Sequence, residues 1–311
     1  MKYSVVIPIY NEEENIPLLH ARLTTVMSGL GESYEIIMVN DGSADSSLEL
    51  LEEIAKGDKC LKVVNFARNF GHQIAITAGL NHSSGDAVIV MDGDLQDPPE
   101  VLPQFINKWK EGYEVVYAIR RKRKENIFKR TAYFSFYRIM KKLSYLDIPL
   151  DSGDFSIIDR KVVDQLKNMP EKNRFVRGLR TWIGYRQIGL EYERDERNAG
   201  TPKFTLSKLM QLAFDGLVSF SYTPLRLATN LGFCTTGVAF VAALFYVIKK
   251  LIVGTEEVAG FPTLIVAVLF LGGIQLLTIG ILGEYVGRIH EEVKGRPLYI
   301  VGSKVNFDDD E

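Results

Sequence analysis

Three oxygen-bearing side chains alternate in one short segment, at Asp92, Asp94 and Gln96 of the sequence DGDLQ. The segment directly follows the apolar run Ala87–Met91, which is typical of a buried strand. Alternate residues of an extended segment point the same way, so the three oxygens can converge on one cation. Mg²⁺ and Mn²⁺ prefer oxygen ligands, commonly one or two carboxylates together with substrate phosphates. The segment therefore predicts a Mg²⁺ or Mn²⁺ site for a departing diphosphate, with a solvated acidic turn as the alternative.

Polar residues also follow three other apolar runs in the first half of the chain. Tyr10 and Glu12 follow the first run, Asp41 follows the second, and residues 69–72, NFGH, follow the third. In open α/β sheets, ligands bind beyond the carboxyl ends of the strands, so these loops predict one binding edge. The patterns GxGxxG and GxxxxGK[ST] are both absent, which excludes a dinucleotide-binding Rossmann domain and a P-loop NTPase.

Short apolar runs alternate with amphipathic stretches between residues 3 and 120. The predicted strands are Tyr3–Ile9, Tyr34–Asn40, Leu61–Ala67, Ala87–Met91 and Val115–Ile119. The predicted helices are Glu12–Met27, Ser46–Lys56, His72–His82 and Pro99–Trp109. Runs such as EIIMV and AVIVM are apolar on both faces, as expected in a parallel sheet covered by helices. The alternation predicts a doubly wound α/β domain.

Two long stretches near the C-terminus carry no charge. Leu227–Ile248 has 22 residues and Val258–Gly283 has 26, and about 20 apolar residues span a bilayer as a helix. We expect two transmembrane helices, because core helices of soluble proteins are usually shorter and carry a polar stripe. The short linker KKLIVGTEE makes them a hairpin. Small residues in the second span, such as Gly283 and Gly287, would permit close helix contact and a homo-oligomer.

Charge and cysteine content favour a cytoplasmic catalytic half. The 37 Lys and Arg residues nearly balance 39 Asp and Glu residues, so the overall charge gives no indication of a nucleic-acid partner, and none is expected. The two cysteines, Cys60 and Cys234, lie in dissimilar segments, and we expect a reducing compartment. The first residues do not resemble a cleavable signal peptide. More Lys and Arg residues flank the hairpin than lie in its linker, which favours a cytoplasmic location for both flanks.

A basic run, RRKRKENIFKR, begins at Arg120. Such a run could lie against anionic lipid. Alternatively, Arg120 or a neighbouring arginine could contact phosphates during catalysis, because a guanidinium binds phosphate bidentately. Both functions are compatible when different residues serve them. The following segment 128–146 alternates aromatic and basic residues and predicts an amphipathic helix, either in the membrane interface or against the protein.

Four segments, PIYNEEENI, VNDGSADSS, ARNFGHQIAITAGL and MDGDLQDPPE, resemble glycosyltransferase family 2 with a GT-A fold. More narrowly, residues 3–225 resemble the polyprenyl-phosphate glycosyltransferases, the branch with dolichol-phosphate mannose synthases and bactoprenol glucosyltransferases, and the hairpin extends the resemblance. The resemblance implies an inverting displacement at the anomeric carbon, a nucleoside diphosphate leaving group and a divalent cation. The residues it implies are Pro8, Tyr10, Glu12, Asp41 and Asp92 for the nucleotide, and Asp92, Asp94 and Gln96 for metal and diphosphate.

The resemblance also suggests residues on the acceptor side. Arg197 and Lys203 lie in RNAGTPKF, which is similar to the RxxGxSKY segment of the lipid-phosphate branch except that Pro202 replaces Ser. It implies that this basic pair contacts phosphates, and an ordinary turn is the alternative. The segment from Arg177 to Trp182 resembles the QxxRW element of processive members but lacks the Gln and has an inserted Thr. This helix could instead simply pack Trp182 against the sheet.

Asp154, in the segment DSGDF, is a further catalytic candidate. It precedes a strand-like run, Phe155–Asp159. In transfer to a hydroxyl, a carboxylate at this place would act as a general base. A lipid phosphate is already anionic near neutral pH and needs less help, so Asp154 could instead orient the acceptor or the sugar hydroxyls. A purely structural cap is the alternative.

We therefore expect an inverting glycosyltransferase in the cell (inner) membrane, with a catalytic domain in the cytoplasm. The expected parts are a GT-A domain at 1–203, an amphipathic juxtamembrane helix at 204–226, two transmembrane helices at 227–287 and a cytoplasmic tail at 288–311. The favoured reaction moves glucose from UDP-glucose to undecaprenyl or another polyprenyl phosphate, for cell-envelope or O-antigen (lipopolysaccharide) glycosylation. Alternatives are mannose or another donor sugar, a polysaccharide acceptor, and a membrane scaffold with a degenerate transferase domain.

Overall fold

The strands of the protein form one mixed sheet. A computed structural model describes residues 1–120, 152–193, 223–253 and 260–307, and the eight strands of these residues all belong to that sheet. The strands are β1 Tyr3–Ile9, β2 Tyr34–Asn40, β3 Leu61–Phe66, β4 Ala87–Val90, β5 Val115–Arg120, β6 Ser152–Asp159, β7 Gln187–Tyr192 and β8 Val301–Val305.

The centre of the sheet is parallel. The strand order is β7-β5-β6-β4-β1-β2-β3-β8, and β1 pairs in parallel with both β2 and β4, while β2 pairs in parallel with β3. β6 runs antiparallel to β4 and β5, and β8 runs antiparallel to β3. β7 pairs with β5 in parallel at the other edge. The α/β class is therefore confirmed, with antiparallel strands added to the predicted parallel core.

The five predicted strands of the first half are all present within one residue of their predicted ends. They were recognisable because they are buried on both faces: all seven residues of β1 are buried. β6 begins at Ser152, three residues before the predicted start. Sequence analysis did not predict β7 or β8. β8 has the sequence VGSKV and is mostly exposed, so no apolar run marks it.

The helices that cover both faces of the sheet are α1 Ile16–Gly29, α2 Ser47–Gly57, α3 His72–His82, α4 Leu102–Lys110, α5 Arg160–Asn168 and α6 Val176–Ile183. Two further helices, α7 Thr223–Val253 and α8 Phe261–Val293, belong to a second compact unit. α1 shows how the sequence directs this packing, because Ile16, Leu19, Leu23 and Met27 form one buried stripe at helical spacing. The same stripe joins the side chains of β1 and β2 in the core.

Two glycines let loops at one edge of the sheet pass close to neighbouring atoms. Gly42 has a φ of 63°, which favours glycine, and a Cβ there would lie 2.5 Å from the backbone nitrogen of Asn69. A Cβ at Gly93 would lie 2.8 Å from Cδ1 of Ile9. The loop after β2 is therefore held against the loop after β3, and the carboxylate segment is held against the end of β1.

α7 and α8 form a second compact unit and contact one another. The predicted spans Leu227–Ile248 and Val258–Gly283 overlap these helices. Their large apolar side chains are exposed, for example Leu251 at 81 %, whereas a core helix of a water-soluble protein would bury them. Within the described residues, Val266–Val293 is long and apolar enough to cross a bilayer, and Ala228–Ala242 is a shorter apolar stretch. This exposed apolar surface indicates membrane association.

The chain returns to the first unit after α8. Residues 296–307 belong to that unit, and β8 lies there beside β3. Sequence analysis gave residues 288–311 as a tail without a strand. The predicted helix at 128–146, residues 204–222 of the predicted juxtamembrane helix at 204–226, and the acidic end at 308–311 lie outside the described residues, while residues 223–226 belong to α7.

Candidate active site

One edge of the sheet collects the loops that sequence analysis singled out. β1 to β4 are mutually parallel through β1 and β2, so their carboxyl ends lie at the same edge. β6 runs in the opposite direction beside β4, which brings its first residues to that edge. Asp154, near the start of β6, therefore lies close to the loops that follow β3 and β4. This arrangement explains why a residue from the middle of the chain joins a site built by the first hundred.

Asp154 is the centre of a network of polar contacts at this edge. Its Oδ2 accepts a hydrogen bond of 2.9 Å from Nε2 of Gln73 and lies 3.6 Å from Nε2 of His72. Its Oδ1 accepts a longer contact of 3.4 Å from Nη2 of Arg177. Gln73 also links α3 to α6, because its Oε1 accepts from the backbone N–H of Val176 at 2.9 Å. The carboxylate is thereby fixed by α3 and α6 together.

His72 bridges the two carboxylates of the edge. Its Nε2 lies 3.5 Å from Oδ1 of Asp92 as well as 3.6 Å from Asp154. Burial alone would lower the pKa of His72, but Asp154 and Asp92, with a further contribution from Asp41, raise it to about 9. His72 is therefore a cation at neutral pH, placed between an acidic loop and an acidic strand end.

Two arginines of α6 strengthen the charge balance around Asp154. Burial raises the pKa of Asp154, but Arg177, His72 and Arg180 together hold it well below its usual range. Arg180 is only 1 % exposed, and its Nε and Nη2 have no hydrogen-bond partner among the described residues. Its guanidinium lies over the ring of Tyr117. Burial and the charge of Arg177 lower the pKa of Arg180 to about 10, so it also stays protonated at neutral pH.

The carboxylate segment is a turn and not an extended strand. Asp92, Asp94 and Gln96 are half-buried, while Gly93 and Leu95 between them are buried. Leu95 has a φ of 59°, a left-handed conformation that is uncommon for Leu, and the backbone N–H of Gln96 donates to Oδ1 of Asp94 at 3.2 Å. The extended geometry that was used in the prediction is therefore wrong, and the convergence of the three oxygens on one cation stays a prediction.

The donor set of this segment suits a hard divalent cation that also binds phosphates. Asp92 and Asp94 offer carboxylate oxygens and Gln96 an amide oxygen, and all three side chains reach the surface. Among the described residues, no three His, Cys, Asp or Glu side chains converge to form a preformed metal cage. Two carboxylates with room for substrate oxygens match the sites at which Mg²⁺ accompanies a nucleotide.

The other residues predicted to bind the nucleotide lie near the end of β1 and in the loops after β1 and β2. Pro8 is buried in β1, Tyr10 is 41 % exposed, and the backbone N–H of Glu12 donates to Oγ of Ser47 at 3.0 Å. Asp41 is only 3 % exposed. Its carboxylate accepts hydrogen bonds from the loop after β3: Oδ1 accepts from the N–H of Phe70 at 2.7 Å, and Oδ2 accepts from the N–H of Gly71 at 3.0 Å. Burial raises the pKa of Asp41, and these hydrogen bonds oppose the rise.

The side chains of the three basic residues predicted to contact phosphate lie outside the part of the chain that the structure describes. Arg120 ends β5, and only its backbone is described. Arg197 and Lys203 lie outside the described residues, as does most of the basic run that begins at Arg120. Trp182 is 64 % exposed, so the alternative in which it packs against the sheet is wrong.

Sequence analysis did not assign a function to His72 or Gln73, and it gave Arg177 only a loose resemblance. His72 and Gln73 open α3 directly after the loop NFG, which had been recognised as part of the binding edge. The first turn of a helix that follows a parallel strand faces this edge, and that position was the available signal. Their partner Asp154 is 81 residues away from Gln73, so no local pattern connects them.

Two family models match the chain. "Glycosyl transferase family 2" matches residues 4–167 and "GtrB C-terminal hairpin" matches residues 223–289. The first covers the strands and loops of the candidate site up to α5. The second covers α7 and most of α8, so the hairpin expected from the two uncharged stretches is confirmed.

Relatives of known name align over nearly the whole length of the chain. An uncharacterised glycosyltransferase, YkcC, of Bacillus subtilis is 49 % identical over 97 % of this chain and 93 % of its own length. A prophage-derived bactoprenol glucosyl transferase of Shigella flexneri is 42 % identical over 97 % of each chain. A crystal structure of glucosyl-3-phosphoglycerate synthase from Mycobacterium tuberculosis is 21 % identical, covers 70 % of this chain and 79 % of that one, and gives a TM-score of 0.47.

The charge of His72 gives a testable prediction. In full-length protein kept free of metal with EDTA, the imidazole of His72 should titrate near pH 9, well above the ordinary value of 6.5. Because the folded state retains this proton, the stability it contributes is complete below about pH 6.5 and is lost as the pH rises through about 9. NMR titration of the four histidines, assigned with His72→Gln, measures the midpoint.

Asp154→Asn removes the neighbouring charge and should move this midpoint towards 6.5. Asp86→Asn, which alters an exposed carboxylate paired with Lys2 away from the site, provides the control and should leave the His72 midpoint unchanged. A His72 midpoint near 6.5 in the unmodified protein would contradict the charge network.

Proposed function

This chain belongs to glycosyl transferase family 2, and we propose that it transfers glucose from UDP-glucose to a polyprenyl phosphate such as undecaprenyl phosphate. Family membership makes it a glycosyltransferase. The GtrB-type hairpin and the 42 % identity to a bactoprenol glucosyl transferase over 97 % of each chain support a glucosyl donor and a lipid acceptor. The lipid product would serve as a sugar carrier for glycosylation of the cell envelope, including O-antigen.

The observation that carries the acceptor class is the charge state of Asp154. Its carboxylate accepts from Gln73 and Arg177 and lies beside His72. Because the neighbouring cations hold the pKa of Asp154 well below its usual range, it is a poor proton acceptor at neutral pH. A hydroxyl acceptor must lose a proton during the attack, whereas a phosphate monoester is already anionic. The site therefore favours a phosphate acceptor.

The donor would lie over the loops that follow β1, β2 and β4. Tyr10 is exposed there and can contact the base, with Pro8 and Glu12 fixing the loop around it. Asp41 would act through the loop after β3, since its carboxylate already holds the N–H groups of Phe70 and Gly71. Among these residues, Asp92 would lie closest to the diphosphate of the donor.

Mg²⁺ or Mn²⁺ would be held by Asp92, Asp94 and Gln96. When bound, the ion would neutralise charge on the diphosphate. His72 already contacts Asp92 at 3.5 Å, so it would restrain that carboxylate from the protein side. The chain would thus supply the oxygen ligands of the metal ion, and the protonated side chain of His72 would orient one of these ligands, Asp92.

The acceptor would meet a positively charged side of the site. Arg177 is partly exposed beside Asp154, and we propose that Arg120, Arg197 and Lys203 complete this side around the acceptor phosphate. Guanidinium groups can bind phosphate bidentately. Asp154, held anionic, would orient hydroxyl groups of the sugar and would not take a proton.

The proposed reaction is a single displacement. A phosphate oxygen of the acceptor forms a bond to the anomeric carbon, and the bond between that carbon and the diphosphate oxygen breaks with inversion. The electron pair of the broken bond goes to the diphosphate, and no proton has to move. Positive groups aimed at the departing charge stabilise the transition state more than the ground state.

The hairpin would place this reaction at the membrane. We propose that α7 and α8 cross the inner membrane and that the sheet unit lies in the cytoplasm. Residues 296–307 return to the unit that contains residues 1–120, which supports an even number of crossings. Among the described residues, a Cβ at Gly280, Gly283 or Gly287 of α8 would meet no atom within 4 Å, and this small-residue surface supports a homo-oligomer.

The metal-binding segment gives the direct test of the enzyme. Asp94→Ala should lower glucose transfer to undecaprenyl phosphate by about 100-fold or more, because it removes an electrostatic contribution to the departing diphosphate. EDTA should have a similar effect, and Mg²⁺ or Mn²⁺ should restore activity. Radiolabelled UDP-glucose, GDP-mannose and UDP-N-acetylglucosamine, each incubated with the full-length protein, measure both transfer and donor choice.

Asp86→Ala is the matched control. Asp86 lies just before the opposite end of β4, with 63 % of its side chain exposed in a pair with Lys2, so its loss should change transfer by less than about twofold. Full turnover in EDTA together with normal activity of Asp94→Ala would show that the metal assignment is wrong. The absence of turnover with every donor would favour the scaffold alternative.

Topology gives a second test. A protease site inserted after residue 123 and one added after residue 307 should both be cut only from the cytoplasmic side of sealed membranes. A tag inserted at residue 254, in the linker of the hairpin, should be accessible only from the outside. If the C-terminal site and the linker tag were found on the same side, the hairpin would not cross the membrane twice.

A further inference from the structure

The segment that follows the membrane hairpin is fastened to the edge of the sheet along its whole length. β8 pairs with β3, and the N–H of Ala67 donates to the carbonyl of Ile300 at 3.0 Å. Asn306 ends the segment, and its Nδ2 lies within hydrogen-bond distance of the carbonyl oxygens of Ala55, Asp58 and Leu61. Such extensive contacts exceed what a solvated tail requires.

A chain of hydrogen bonds runs from β8 to the loop after β1. Nδ2 of Asn65 donates to Oγ of Ser303 at 3.2 Å, and Nδ2 of Asn40 donates to Oδ1 of Asn65 at 2.8 Å. Oγ of Ser43 donates to Oδ1 of Asn40 at 2.6 Å, and the N–H of Asn11 donates to Oγ of Ser43 at 3.0 Å. We call these five residues the asparagine relay.

The hydrogen bonds of the relay all run from donor to acceptor in the same direction, from Asn11 towards Ser303. In Asn65 and in Asn40 the amide oxygen accepts from the side of Asn11 and the amide nitrogen donates towards Ser303. Hydrogen bonds aligned in this way polarise one another. Asn40 is 1 % exposed, so the loss of its acceptor would leave a buried donor without a partner. The relay is therefore suited to transmit the position of one end to the other.

The relay ends at the place where the donor is proposed to bind. Asn11 lies between Tyr10 and Glu12 and has a φ of 51°, a left-handed conformation that needs local support. That support comes from its two links to the loop after β2, because its N–H donates to Ser43 and its Oδ1 accepts from the N–H of Ala44 at 2.8 Å.

A second connection reaches the loop after β3. The ring of Phe66 stacks on Tyr299 at 5.1 Å between centroids and contacts Phe70 edge-on at 5.5 Å. The N–H of Phe70 in turn donates to Asp41 at 2.7 Å. The C-terminal segment therefore contacts the supports of two loops: the loop after β1, from β8 through Asn65, and the loop after β3, from Tyr299 through Phe66.

We propose that the segment 299–306, which follows the membrane hairpin, positions the loops after β1, β2 and β3 that form or support the donor site. In this proposal Asn65 and Ser303 are positioning residues for nucleotide binding. The inference rests on the donor site proposed above. It gives the C-terminal end of the hairpin a direct structural connection to donor affinity, separate from the anchoring of the enzyme beside its lipid.

The test compares two residues that both contact the C-terminal segment. Asn65→Ala cuts the relay, whereas Lys59→Ala removes only an exposed contact of 3.1 Å to Oδ1 of Asn306, which lies on neither connection, and serves as the matched control. Binding of UDP with Mg²⁺ to full-length protein in lipid nanodiscs, measured by calorimetry, should weaken about fivefold or more in Asn65→Ala and less than twofold in Lys59→Ala. That change corresponds to the loss of about one hydrogen bond.

Ser303 tests the far end of the relay without disturbing the core. Ser303→Ala should raise the KM for UDP-glucose about threefold while leaving kcat and the KM for undecaprenyl phosphate unchanged, and Ser303→Thr, which keeps the hydroxyl, should restore the original KM. Lys304→Ala, on the neighbouring residue of β8, should have no such effect. Melting temperatures of all variants identify any that fail to fold.

The outcomes separate this inference from the proposed function. If the unmodified protein binds UDP but Asn65→Ala and Ser303→Ala bind it equally well, the positioning inference is wrong and the proposed function stands. If Asn65→Ala and Lys59→Ala weaken the binding of UDP equally, the segment acts only through general stability, and the relay is again rejected. If the unmodified protein binds neither UDP nor UDP-glucose, the donor site itself has failed.

Discussion

A carboxylate that is buried at the edge of a sheet must be balanced by charges and hydrogen bonds from other elements. Asp154 meets this requirement through His72 and Gln73 of α3 and Arg177 of α6, with Arg180 nearby. These contacts fix the start of β6 against the loops after β3 and β4 and bring Asp92 into the same network. The same cations hold the pKa of Asp154 well below its usual range. In the proposed mechanism Asp154 therefore does not act as a base, and the acceptor brings its own negative charge.

The residues that follow the hairpin in the chain form part of the sheet unit. After α8 the chain returns to the first unit and adds β8 beside β3. The loops after β1, β2 and β3 thereby rest, directly or through Asn65, on residues that follow the membrane segment. A transferase of a lipid acceptor needs its soluble site held beside the bilayer, and this closure would place a mechanical link at the donor side of that site.

The sequence alone was sufficient to predict the features whose signals are local in the chain. β1 to β5 were predicted because strands buried on both faces are continuous apolar runs, and the binding edge followed from parallel strands. Asp92, Asp94 and Gln96 were predicted as metal ligands from their spacing, which stays a prediction, and the segment that carries them turns at Leu95 and is not extended. β8 and the network of Asp154 could not be predicted, because their partners are distant: Ser303 bonds Asn65 across 238 positions.

The central claim is that the acceptor contributes an anionic oxygen and the enzyme contributes no base. The most direct measurement compares undecaprenyl phosphate with undecaprenol as acceptors of radiolabelled glucose, using full-length protein in nanodiscs and UDP-glucose with Mg²⁺. The account predicts transfer to the phosphate only, and little change in its rate across neutral pH from the titration of Asp154, whose pKa is far below that range. Equal transfer to undecaprenol would contradict the account, because it would require a proton acceptor that the site does not provide in Asp154.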